Sequence, residues 1–274
     1  MNKKRVLTPT TNRGSENTSK YPIIIDYITF SGVFNTFEEM IDFLGLKNAN
    51  LEFKPIGPRW FFKYAIDYDN MITLMLSQKD SITSACVNIT GKGCRLLESF
   101  SCYDLTQIIN RVTELPDFQL TRIDIAMDVI DDKFDIQTLV KNYEKGNYTC
   151  RSKFSNVMKS IDDGIKGTSL YFGKQSSNIY INIYDKRAER GYSPEDMPNW
   201  TRLEIRLRGP NAVGFGEKLY ENCNVGFFTP AYLITIYDLL LTLQMSINQD
   251  CQPLRIGKSC YFIPIKYRLS LIHI

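Results

Sequence analysis

The chain has 274 residues, 43% of them hydrophobic, and its 33 Lys and Arg against 30 Asp and Glu leave a formal net charge of +3. That length and apolar content suffice for a substantial core in one or two domains. A charge this small does not by itself mark a nucleic-acid binder, so distribution matters more than the total. The seven cysteines form no CxxC pair and no metal spacing, and read as the reduced thiols of a cytoplasmic protein. No secretory signal is expected at the N-terminus, because MNKKRVLTPTTNRGSENTSK has charge without the following apolar segment.

Residues 1–20 hold Lys3, Lys4, Arg5, Arg13 and Lys20 against Glu16 alone and read as a disordered basic tail that could track a phosphate backbone. A strand is expected around Pro22 to Phe30, and then a helix from a Thr36 cap whose Glu39 completes a capping box. Several strands follow between Leu51 and Ile89. Gly91 and Gly93 of GKGCR then predict a loop, either a tight turn between Ile89 and Leu96 or a place where Arg95 reaches a phosphate. A helix near Tyr103 to Leu115 ends the first half.

The second half repeats that order. A strand at Leu120 to Val129 leads to a helix after Asp135 that stops near Gly146. Strands follow near Cys150 to Phe154, Ser169 to Phe172, Ile179 to Asp185 and Trp200 to Leu207. A last helix ends near Ile247. Its stretch Tyr232 to Ile247 is interrupted by Thr235, Asp238, Thr242 and Gln244, which favours a buried or amphipathic helix over a membrane span. The order predicts an α+β fold: one curved, mostly antiparallel sheet from two pseudo-repeats (strand, helix, several strands, helix), with helices on the outer face. The repeats would occupy residues 21–117 and 118–250, with Asp26 and Asp124 on equivalent strands.

The most informative stretch runs from Gly167 to Gly209. Ile179, Ile181 and Ile183 alternate with Tyr180, Asn182 and Tyr184, and Leu203, Ile205 and Leu207 alternate with Arg202, Glu204, Arg206 and Arg208. Period two describes strands with one buried face. The other face would carry tyrosine hydroxyls, a carboxylate and several guanidinium groups, a surface suited to a phosphodiester. An ordinary solvated sheet face would show the same alternation. In TRIDIAMDV, Arg122, Asp124 and Asp128 lie opposite Ile123, Ile125 and Met127, so the acids can share a surface with the tyrosines.

Taken together, GTSLYFGKQSSNIYINIYDK, WTRLEIRLRG and TRIDIAMDV resemble the core of the rolling-circle replication initiators of small Gram-positive plasmids and the related DNA relaxases of integrative conjugative elements. The resemblance extends from about Asp26 to Leu243. It implies that Tyr184, in the strand reading IYDK, is the nucleophile that cuts one DNA strand. It implies Asp124, Asp26 and Glu204 as metal ligands, with Glu204 also catalytic. Asp26 shares strand parity with Ile24, Ile28 and Phe30, so a buried structural carboxylate is the competing reading. Arg202, Arg206, Lys186 and Arg95 are candidates to grip phosphates, and Tyr180 to stack on a base.

A tyrosine hydroxyl has a reference pKa of about 10 and needs a base or a metal to attack at neutral pH. Attack would leave a 5′-phosphotyrosine link and a 3′ hydroxyl that primes rolling-circle replication of a plasmid, phage or mobile element. The only histidine is His273, so the metal site would be built from oxygens, favouring Mg²⁺ or Mn²⁺. Expected partners are origin DNA, single-stranded or supercoiled, then a host helicase and polymerase, and a second copy of the chain in a homodimer. The competing readings are a conjugative relaxase and a non-catalytic origin-binding relative. About twenty residues before Tyr21 leave no room for the helix-turn-helix that relaxases usually carry. Residues 251–268 read as the start of a truncated C-terminal region, and Leu269 to Ile274 as the translation of a sequencing adapter.

Overall fold

The computed structural model describes residues 23–79, 82–131, 134–148, 150, 152–162 and 165–222. The basic tail, the helix expected up to Ile247, His273 and the regions 251–268 and 269–274 lie outside the described residues.

Every strand pairing is antiparallel, and ten strands form a single sheet in the order β2-β3-β4-β5-β1-β6-β10-β9-β8-β7. In chain order these are β1 (Ile23–Gly32), β2 (Lys54–Ile56), β3 (Tyr64–Tyr68), β4 (Ile72–Lys79), β5 (Ile82–Ile89), β6 (Gln119–Ile130), β7 (Ser155–Asp162), β8 (Ile165–Phe172), β9 (Ile179–Asp185) and β10 (Trp200–Arg208). The order reads the same outward from the central β1/β6 pair on either side. The flank β5, β4, β3, β2 corresponds in position to β10, β9, β8, β7.

The period-two alternation decides the layers. Ile28, Phe30, Ile123, Ile125, Ile181, Ile183, Leu203, Ile205 and Leu207 lie on one face and are almost wholly buried. Five helices cover that face: α1 (Phe37–Phe43), α2 (Gly91–Phe100), α3 (Leu105–Glu114), α4 (Ile136–Glu144) and α6 (Pro210–Asn222). Each fully buried Leu, Ile or Phe is worth about 1.5–3 kcal/mol of transfer free energy, so this layer supplies most of the drive to fold. The short α5 (Lys186–Glu189) follows β9 directly. No helix among the described residues is long and apolar enough to cross a membrane.

Four local expectations need correction, the first being that the strand expected near Cys150 to Phe154 instead begins at Ser155, as β7. GKGCR is not a loop: Thr90 caps the first turn of α2 by accepting from the Gly93 amide, and both glycines are inside the helix. They are there for close approach. A Cβ on Gly93 would stand 2.3 Å from the Met71 carbonyl oxygen, and one on Gly91 2.8 Å from Asp26 Oδ1. The Thr36 cap forms as expected, but Glu39 Oε2 accepts from the Asn35 amide and not from the cap residue itself. The fourth correction concerns β1. Its register against β6 slips between Ile25 and Tyr27, a bulge that ends the simple parity of Asp26 with Ile28 and Phe30.

Gly93→Ala sets two effects against each other. Alanine gains about 1 kcal/mol of helix propensity, but its methyl would meet backbone that cannot swing away. We expect the clash to win, so thermal unfolding should show a lower midpoint than the parent. A higher midpoint would mean that α2 sits farther from β4 than described.

Candidate active site

The face opposite the core carries the chemistry. Antiparallel register sets Glu204 beside Asn182 on β9 and Ala126 on β6, Arg202 beside Tyr184 and Asp128, and Arg206 beside Tyr180 and Asp124. The result is two adjoining clusters.

The first is centred on Tyr184. Its hydroxyl donates to Glu204 Oε1 at 2.6 Å, and Lys186 Nζ donates to the same hydroxyl oxygen at 3.2 Å. Burial, with the Glu204 charge beside it, pushes the Tyr184 pKa far above its ordinary value. Burial also raises Glu204, opposed by the Tyr184 hydrogen bond and assisted by the Asp26 charge. Lys186 is lowered, first by burial and then by nearby Arg202, and it pairs with Glu189 one turn on in α5. A carboxylate shifted upward is a stronger proton acceptor, and it already accepts a hydrogen bond from the hydroxyl that must lose its proton.

Beneath these groups lies Arg202, 2% exposed. Its guanidinium meets Asp128 in a bidentate pair, Nε to Oδ1 at 2.7 Å and Nη2 to Oδ2 at 2.7 Å, and Nη1 reaches Asp26 Oδ2 at 3.3 Å. Trp200 Nε1 adds a bond of 2.8 Å to Asp128 Oδ1. Arg202, expected to grip a phosphate, here donates to acids inside the protein. The β1 bulge lets Asp26 join this group, where burial raises its pKa against the lowering charges of Arg202, Arg95 and Lys186.

The second cluster surrounds Asp124. Arg122 Nε donates to Asp124 Oδ1 at 2.8 Å, its Nη2 bonds Oδ2, and Arg206 Nε donates to Oδ2 at 3.1 Å. Asp124 thus lies on the expected face but is engaged by two arginines, apart from Asp26 and Glu204. Tyr180 is 7% exposed, stacked on Tyr171 with ring centroids 5.8 Å apart, and covered by Arg206 at 5.3 Å. Tyr180, expected to stack on a base, is here stacked on Tyr171. Arg95 is likewise committed: Nη2 bonds the Ile25 carbonyl, Nε the Gly91 carbonyl at 3.2 Å, and Nη1 lies 3.6 Å from Glu98.

Among the described residues no three His, Cys, Asp or Glu side chains converge on a point that could hold a metal ion. Asp26 and Glu204 are near enough that the Asp26 charge helps raise the Glu204 pKa. Asn182 Oδ1, cross-strand from Glu204, is a buried acceptor without a hydrogen-bond partner. Sequence reasoning put Asp128 on this face without a role and gave none to Trp200. The signal available was the parity of TRIDIAMDV against WTRLEI, which makes Asp128 and Arg202 register partners.

Removing charge from the buried pair tests its weight. Asp128→Asn leaves Arg202 with only a distant Asp26 contact, and an uncompensated buried charge costs about 3 kcal/mol or more. Urea unfolding should register that loss. A change within about 0.5 kcal/mol, the usual range for surface substitutions, would contradict the pairing.

Residues 118–240 match a protein family described as "Replication initiation factor". The chain is 30% identical over 203 residues to the protein named "Putative DNA relaxase NicK" from Bacillus subtilis (strain 168), covering 69% of this chain. It spans 56% of that relative's length. A solved structure titled as a rolling circle replication initiator protein from Geobacillus stearothermophilus shares the fold, with a TM-score of 0.69 at 24% identity, over 78% of this chain and 85% of that one. The segment 118–240, which contains Tyr184, Glu204, Lys186 and Arg202, carries the sequence of the replication initiation factor family.

Proposed function

We propose that the protein nicks one strand of DNA at an origin through Tyr184 and so starts rolling-circle replication of a plasmid, phage or mobile element. The observation that carries this reading is the Tyr184 hydroxyl donating to Glu204 Oε1 at 2.6 Å with Lys186 Nζ 3.2 Å from the same oxygen. An acceptor for the proton and a cation for the resulting oxyanion meet at one phenol. In the step itself, Tyr184 Oη forms a bond to phosphorus, its proton passes to Glu204, and the bond from phosphorus to the 3′ oxygen breaks. The departing 3′ oxygen takes a proton from solvent. The same groups run the reverse step, in which the 3′ hydroxyl attacks the phosphotyrosine and rejoins the strand. Lys186 steadies the phenolate, and Arg206, whose terminal nitrogens are free of the Asp124 bond, is suited to a neighbouring phosphate.

Asp26 and Glu204 fit a hard divalent cation, with the unpartnered Asn182 Oδ1 as a third oxygen, because two carboxylates raised by burial are relieved by positive charge. Mg²⁺ or Mn²⁺ held there would offset charge that develops on the phosphate. Asp124, held by Arg122 and Arg206, is assigned to positioning those arginines and not to the metal. The relaxase-named relative favours a second setting for the same chemistry, strand cutting at the start of conjugative transfer. Nicking with a 5′ tyrosine link serves both, and the 3′ end is what a host helicase and polymerase would use.

Nicking of supercoiled plasmid carrying a candidate origin tests the assignments. Tyr184→Phe should abolish nicking while leaving DNA binding intact, and Tyr180→Phe should keep most of it. Glu204→Gln should lower the rate about 10²–10⁴-fold, the usual contribution of a general base. A fully active Tyr184→Phe protein would sink the proposal.

Metal removal gives a separate check. Excess chelator should stop nicking, Mg²⁺ or Mn²⁺ should restore it, and Asp26→Asn should raise the metal concentration needed for half-maximal rate. Undiminished nicking in excess chelator would exclude the cation from the reaction.

A further inference from the structure

The β2–β3 connection ends in a tight hairpin. Arg59 and Phe62 exchange both backbone hydrogen bonds, 3.3 and 2.9 Å, so Trp60 and Phe61 alone make the turn. Trp60 has φ of 53°, and it is the one residue of the pair with positive φ. Such a first turn position favours glycine, and a bulky residue held there is strained. The two rings gain no burial in return: Trp60 is 64% exposed and Phe61 98% exposed, with Tyr64 beside them 52% exposed. Arg59 and Lys63 flank the rings, both exposed, and neither forms an ion pair among the described residues.

Arg59 and Trp60 of the tip border a cleft on the chemical face of the sheet. That cleft, of 190 Å³, is also lined by Asp67, Thr73, Met75 and Asn88. Register partners run from Thr73 to Asn88, to Thr29, to Arg122 and to Arg208, so the cleft and the Tyr184 face are one surface. Its floor is on β3, β4 and β5, the strands that correspond in the symmetric order to β8, β9 and β10. Between the two sites Arg122, Arg206 and Arg208 gather around Asp124 alone. Burial and then the charges of Arg122 and Arg206 lower the Arg208 pKa, and its buried Nε has no partner. Like charges directly opposite on paired strands repel unless an anion lies over them.

We propose that the Trp60–Phe61 hairpin is a stacking platform for single-stranded DNA, and that the Arg122, Arg206 and Arg208 cluster carries the strand's phosphates from it toward Tyr184. Five strand spacings separate β4 from β9, about 24 Å, a path that several nucleotides would cover. Exposed aromatic rings between basic side chains bind unpaired bases without reading sequence, since every base has a face to stack. A protein partner would leave the arginine cluster unexplained, whereas a polyanion accounts for both features. The inference rests on the reading that this protein acts on DNA.

The chain has two tryptophans, and Trp200 is 2% exposed, so a quencher arriving from solvent reports on Trp60. Titration of the full chain with oligothymidylate should quench tryptophan emission, and Trp60→Phe should remove the quenching while binding persists. Trp60→Gly suits the turn, so its thermal midpoint should not fall, yet affinity for a labelled oligothymidylate should drop by about tenfold or more. Phe61→Ala should lose a similar factor, and Arg208→Gln should reduce the salt slope by about 0.7. Unchanged emission at saturating oligothymidylate, or parental affinity in Trp60→Gly, would overturn the proposal. Nicking by Tyr184 is read separately. Nicking without quenching removes the platform and keeps the enzyme, and quenching without nicking does the reverse.

Discussion

The buried guanidinium of Arg202 is the constraint around which the site is built. Taking it out of water carries a large desolvation penalty, which Asp128 offsets with two parallel hydrogen bonds and Asp26 with a longer third contact. Those contacts join β10 to β6 and β6's other neighbour β1, the three central strands of the sheet. They also explain why the β1 bulge falls at Asp26: without the extra residue, a carboxylate there would share the face of Ile28 and Phe30 inside an apolar layer. With it, the acid serves the chemical face, meets Arg202 and adds a negative charge that helps raise the Glu204 pKa.

That electrostatic setting keeps the proposed nucleophile quiet. Burial and the adjoining Glu204 charge hold the Tyr184 proton tightly, so the phenol is a poorer nucleophile at rest than free tyrosine. Reaction requires the balance to tip toward phenolate, and the positive charge of Lys186 and of a cation held by Asp26 and Glu204 would tip it. In the proposed mechanism, such a site would stay inert until phosphate and cation were both present. For a protein whose proposed intermediate is a broken DNA strand, that restraint has evident use.

Much of this was legible in the chain itself. The alternation in IYINIYD and WTRLEIRLR specifies which residues face the helices, and the register then brings Tyr184, Glu204 and Arg202 onto one surface as expected. The helices after Thr36 and Asp135 were also readable from their caps, and the Ile179 and Trp200 strands from their alternation. What escaped depends on contacts distant in sequence. A one-residue bulge at Asp26 cannot be seen from β1 alone, since the partner it meets, Arg202, is on another strand. Gly91 and Gly93 look like a loop until Met71 and Asp26 are packed against them. Likewise, a run of arginines reads as a phosphate grip, and only packing separates Arg202, buried on Asp128, from Arg206 and Arg208 nearer the surface. The hairpin tip at Trp60 carries no periodicity, so nothing local announced it.

The central claim is that Tyr184, and no other tyrosine of this face, becomes joined to the 5′ end of the cut strand. Mass spectrometry of the peptide that retains a nucleotide, after nicking in Mg²⁺ and digestion with nuclease and protease, measures this directly. The account predicts a 5′-phosphoryl nucleotide on Tyr184. A nucleotide on Tyr180 or Tyr171, or nicked DNA with a free 5′ phosphate and unmodified protein, would contradict it.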